Sequence, residues 1–129
     1  MTAVDDTIFL IDGWDAPAEF RLRAERLDPE SVLVTVAGEL DIATVPQLRE
    51  RLDAAVDAGA TRVVLDLTDV SFMDSVAMAA IIHARTRLGD AGRLVVAIPS
   101  ESYTRLVFEI AGLPRCLDLF ETRAEAVAA

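Results

Sequence analysis

The chain has 129 residues, 53% of them apolar, and a formal net charge of -10 in which every cation is arginine, because lysine is absent. A domain of this size buries enough surface to fold around one core without a metal or disulfide. The acidity argues against nucleic acid or anionic lipid as a partner, and no apolar run approaches the roughly 20 residues that span a bilayer.

Cys116 is the only cysteine, so an internal disulfide is impossible, and it is expected to be a small buried apolar side chain. The start, Met1 to Asp6, carries acids and no arginine, unlike the charged opening of a signal peptide, so a cytoplasmic protein is expected. Residues 1–17 read as an N-terminal extension whose short apolar run Ile8–Ile11 either adds an edge strand or folds across the domain, and residues 18–129 read as the domain.

From Glu19 the pattern turns regular. Phe20, Leu22 and Ala24 alternate with Arg21, Arg23 and Glu25, the period of a half-buried strand. Leu27-Asp28-Pro29-Glu30 reads as a turn. Val32 to Ala37 is a second strand, stopped by Gly38, and so short a connection makes the pair an antiparallel hairpin. After the loop 38–43, Thr44 and Gln47 have the spacing of a capping box and Pro46 suits the first turn of a helix. That helix carries Val45, Leu48, Leu52, Ala55 and Val56 on one face and ends at Gly59.

Val63 to Leu67 is nearly continuous in apolar residues, as in a strand covered on both faces. A short loop is expected after it, then a second helix from Asp74 to Gly89 with Met78, Ile81, Ile82, Arg85 and Leu88 along it. Arg93 to Ile98 is the next buried strand. A third helix starts near Ser102, turns Leu106, Val107 and Ile110 inward, and ends at Gly112 and Pro114. Leu117 to Phe120 is a last strand. Thr122 and Glu125 have capping-box spacing for a short terminal helix. The order β-β-α-β-α-β-α-β-α predicts an α/β domain with a mixed, mostly parallel sheet packed with helices.

Catalytic chemistry finds little support. His83 is the only histidine, too few ligands for a His/Cys metal cluster, and no glycine-rich phosphate loop with a lysine occurs. Ser75 and His83 fall on one predicted helix, eight positions and roughly 12 Å apart, far beyond hydrogen-bond reach. No cofactor or metal is expected. Docking is the more economical function.

The informative stretch is Val63 through Ser75, where a buried strand leads to Asp74-Ser75 at the opening of a helix. Strand-to-helix junctions of this kind carry the sites of open α/β sheets. Asp74 and Ser75 suit a helix cap. A phosphate on Ser75 would be tolerated by the domain, because free N–H groups and the helix dipole favour an anion. The same dianion buried in an interface without partners costs several kcal/mol.

Residues 19–129 resemble the STAS domain, with bacterial anti-sigma factor antagonists as the nearest type. The resemblance is carried by Val36-Ala37-Gly38-Glu39-Leu40-Asp41, by Val64-Leu65-Asp66-Leu67 through Phe72-Met73-Asp74-Ser75, and by Ala111-Gly112-Leu113. It implies partner switching: the chain binds an anti-sigma factor, a serine kinase of the histidine-kinase-like ATPase fold, and frees a sigma factor. The kinase then inactivates it by phosphorylating Ser75, and a serine phosphatase restores it. ATP belongs to the kinase. The implied contact set is Asp41, Ile42 and Thr44 in one loop with Asp74, Val76 and Met78 beside the serine.

One departure stands out. The family usually follows Asp-Ser with Ser-Gly-Leu, whereas this chain has Val76-Ala77-Met78, so Ala77 stands where a glycine permits close approach of a partner. The change favours an alternative in which the chain is a non-phosphorylated STAS module of a stress-signalling or lipid-transport complex.

Overall fold

A computed structural model describes residues 19–115 and 117–129; the Ile8–Ile11 run and Cys116 lie outside the described residues. The order is β1 (Arg21–Asp28), β2 (Ser31–Leu40), α1 (Val45–Asp57), β3 (Arg62–Met73), α2 (Ser75–Leu88), β4 (Arg93–Ala97), α3 (Tyr103–Ile110), a 3-10 turn (Leu113–Arg115), β5 (Asp118–Phe120) and α4 (Arg123–Ala128). The strands form a five-stranded sheet in sequential order. β1 and β2 pair antiparallel and every other neighbouring pair is parallel, as the alternation of strands and helices predicts.

Alternation sorts the strand residues between two layers. Val34, Val36, Val63, Leu65, Leu67 and Val96 face the main core, which α1 closes with Leu48 and Leu52, α2 with Ala80, Ile81 and Ala84, and α3 with Phe108. Leu33, Val64, Val95 and Ala97 point the other way, where Ala126 of α4 covers them. The β3 run is therefore buried from both sides, as its continuous apolar character predicts.

α4 is short for a helix that must cover a sheet face. Its capping box forms as the Thr122/Glu125 spacing predicts. Long-range contacts complete its attachment. Arg62 donates to the carbonyls of Ala126 and Val127. Arg123 Nε donates to Asp66 Oδ2 at 2.7 Å, while Asp66 Oδ1 accepts from the Thr68 N–H and hydroxyl. Asp66 is buried, and its carboxylate accepts three hydrogen bonds, one of them from the Arg123 guanidinium, as a buried carboxylate requires. The same pairing raises the pKa of Arg123 through its hydrogen bond to Asp66.

Several expectations are corrected. β1 continues past Ala24 to Asp28, taking in part of the expected turn. Gly38 does not stop β2: the strand runs on to Leu40, and Gly38 at φ 96° sits at a register shift, in a conformation that a side chain would strain. β3 likewise replaces the expected loop and reaches Met73, with extra residues inserted between Asp66 and Asp69 and between Val70 and Phe72. Thr44 precedes α1 but makes no side-chain cap bond, so the first capping box does not form. In α2 the buried positions are Ala77, Ala80, Ile81 and Ala84, with Ile82 exposed. In α3 they are Thr104 and Phe108, while Leu106 and Ile110 face outward.

The loop before α3 is tied to the end of β5 by the Ser100 N–H, which donates to Glu121 Oε2 at 2.9 Å and holds that carboxyl below its usual range. A depressed folded-state pKa contributes stability that is present above the ordinary value of 4.5 and fades as pH falls through the lower folded value. Glu121→Gln is therefore expected to lower stability at neutral pH and to flatten the acid limb of a pH–stability curve from urea melts. The α3 orientation has a sharper test: Phe108→Ala should cost about 3–5 kcal/mol of unfolding free energy, against about 0.5 or less for Leu106→Ala.

Candidate functional site

Pairing of β2 with β3 runs to the last residue of each strand, Leu40 opposite Met73, both buried. One step further, the Asp74 N–H donates to the Leu40 carbonyl at 3.2 Å. The chain after β2 and the chain after β3 are thereby brought side by side at the same end of the sheet. Two sequence-distant segments, 41–44 and 74–76, form one surface for this reason.

The first segment is a self-bonded turn. Asp41 Oδ1 accepts from the N–H groups of Ala43 and Thr44 at 2.9 and 3.2 Å. Thr44 Oγ1 accepts from the Asp41 N–H at 2.9 Å and donates to the Glu39 carbonyl at 2.8 Å. Thr44 thus spends its hydroxyl on the loop behind it and not on α1, which is why the expected cap is missing. The turn leaves Ile42 75% exposed at its tip.

The second segment opens α2. Asp74 is extended and its Oδ1 accepts from the N–H groups of Val76 and Ala77 at 3.0 and 3.2 Å. Asp74 alone makes the side-chain cap. Ser75, the first helical residue, is exposed, with Val76 beside it at 42%. The structure therefore assembles Asp41, Ile42, Asp74, Ser75 and Val76 at one end of the sheet. Met78 is half-buried against the core, and Thr44 is half-buried under its own turn.

His83 lies further along α2, its Nε2 3.8 Å from Asp53 Oδ1 on α1, and Arg87 reaches Asp53 and Asp57 from the same side. It belongs to the contact between the two helices. Among the described residues no group of three or more His, Cys, Asp and Glu side chains is placed to hold a metal, and no helix is long and apolar enough to cross a membrane.

The sequence matches the STAS domain over residues 23–126. The chain belongs to this family. An anti-sigma F factor antagonist of Lysinibacillus sphaericus is 34% identical over 103 residues, covering 78% of this chain and 87% of the relative. A crystal structure of an anti-sigma factor antagonist from Mycobacterium paratuberculosis superimposes with a TM-score of 0.78 at 26% identity, over 89% of this chain and 97% of the other. The Bacillus cell fate determinant SpoIIAA, in its phosphorylated form, gives 0.67 at 28% identity, over 84% and 97%.

Within this STAS domain, Ala77 is fully buried and its Cβ packs into the core. The departure that reaches the surface is Val76. Sequence reasoning missed Phe72, which is exposed three residues before Ser75 and stacks on Tyr103, ring centroids 6.4 Å apart and planes within 11°. No local pattern marks that pair, because β3 was expected to have ended before Phe72. The Asp66–Arg123 bond, spanning 57 positions, was also missed. Only the placement of α4 creates it.

Asp74→Ala should cost about 1 kcal/mol in urea unfolding, the ordinary worth of a helix cap, with the chain still folded.

Proposed function

We propose that this chain is an anti-sigma factor antagonist: it binds an anti-sigma factor serine kinase, frees a sigma factor, and is switched off by phosphorylation of Ser75. Residues 18–129 are the acting domain on this reading and residues 1–17 an extension; the protein works in the cytoplasm and needs no cofactor of its own. The observation that carries the reading is the position of Ser75, exposed at the first turn of α2 beside the Asp41–Thr44 turn. The names of its relatives, and a phosphorylated SpoIIAA of the same fold, point the same way.

The local hydrogen bonding explains why a phosphate there would act outward. In an uncapped helix the free N–H groups of the first turn would absorb the new charge. Here the Val76 and Ala77 N–H groups are already taken by Asp74. A phosphoryl group on Ser75 stays hydrated and dianionic at the surface, next to the Asp74 carboxylate. The fold buries none of that charge, so the domain itself bears no desolvation cost for it. A partner covering Ser75 has to bury it, at a cost of several kcal/mol. Removal of the phosphate by a serine phosphatase restores docking.

Val76 supports a second reading, a STAS module that docks without being phosphorylated, in a stress-signalling or lipid-transport complex, because an exposed branched side chain follows directly on the serine that a kinase must reach. The two separate in one experiment. Each anti-sigma serine kinase of the source genome is purified and incubated with the chain and ATP. On the first reading one of them adds the mass of a single phosphate, mapped to Ser75, Ser75→Ala retains binding in ATP, and Ser75→Asp loses it. Tight binding without added mass, with both variants binding alike, hands the case to the second reading.

A further inference from the structure

The face around Ser75 does not end at the two turns. Phe72 stacks on Tyr103, the first residue of α3, and from there Tyr103, Leu106 and Ile110 follow one another at helical spacing along the outer side of α3. Tyr103 is 56% exposed, Leu106 51% and Ile110 79%. The stripe extends roughly 10 Å from Tyr103 to Ile110. Single exposed apolar side chains are ordinary, but a contiguous run joined to another exposed apolar cluster marks an interaction surface.

We propose that this stripe is the second half of the docking surface, and that its occupant is an apolar, basic-rimmed surface of the same kinase-type anti-sigma factor that reaches Ser75. The proposal rests on the function given above. The stripe is flanked by the exposed Glu101 and Glu109, and the Ser75 end by Asp41 and Asp74. The one cation within α3, Arg105, is committed to Glu109 at 3.3 Å and to the Ile98 carbonyl at 3.2 Å. The Arg105–Glu109 pair cancels its own charge, so the net negative charge of the rim comes from Glu101, Asp41 and Asp74 around an apolar centre. A second copy would set these acids against their duplicates on a chain of net charge -10. The chain's own residues 1–18 are equally unsuited, since Asp5, Asp6, Asp12 and Asp15 come with no cation. A partner that supplies arginine or lysine around an apolar centre satisfies both features.

The test uses the full chain and whichever purified kinase binds it. Leu106→Asp and Ile110→Asp lie at exposed positions and should leave the melting curve in place while weakening kinase binding about tenfold or more. Val76→Asp serves as the reference for the Ser75 side. If the parent chain binds none of the kinases, the functional reading falls and this inference with it. If the parent binds, Val76→Asp weakens it, and both α3 variants bind like the parent, the functional reading stands and the α3 inference is overturned. A benzophenone side chain at position 110 identifies the occupant independently. Cross-linking to the kinase supports the proposal. A link to a second copy or to residues 1–18, or no link to a bound kinase, overturns it.

Discussion

The site depends on how far β2 and β3 stay paired. Register slips twice along their length, at Asp66–Asp69 and at Val70–Phe72, and each time β3 spends an additional residue. The ladder still recovers, so that Leu40 faces Met73 and the Asp74 N–H reaches the Leu40 carbonyl. A one-residue slip in a strand turns its side chains to the opposite face. Here the slips let β3 continue beyond its buried run, bring Phe72 to the surface, and still return Met73 to the core. Without them the Asp41 turn and the Ser75 helix start would not share a surface.

The second device is the use of carboxylates to consume donors locally. Asp41 takes the N–H groups of its own turn and Asp74 those of the first turn of α2. Both segments are held in shape by their own hydrogen bonds. Asp74 thereby occupies two of the N–H groups at the helix start and sets a carboxylate next to Ser75. Asp66 plays a comparable part inside the fold, fixing the Thr68 bulge on one oxygen and Arg123 of α4 on the other.

Much of this was legible in the residues. The element order, the antiparallel first pair, the strand buried on both sides, the Thr122–Glu125 box and the Asp74–Ser75 helix start all follow from short-range spacing. The misses have physical causes. α3 carries Leu106, Val107, Phe108 and Ile110, so more than one face is apolar and periodicity cannot choose between them; the core accepts Phe108 and leaves Leu106 and Ile110 outside. α2 is similarly ambiguous, and close packing of the helix on the sheet selects its alanines over Ile82. Gly38 and the polar residues from Thr68 to Ser71 look like strand ends because bulges and loops draw on the same residue types.

The amino-acid sequence alone determined the fold class, the family and the serine at the head of α2, because these rest on patterns that repeat within a few residues. The tertiary structure decided which groups share a surface: Asp41 beside Asp74, Phe72 against Tyr103, Arg123 over Asp66. Those neighbours come from sheet register and helix placement. Both are set by the summed packing of distant segments, so no single stretch of the chain carries them.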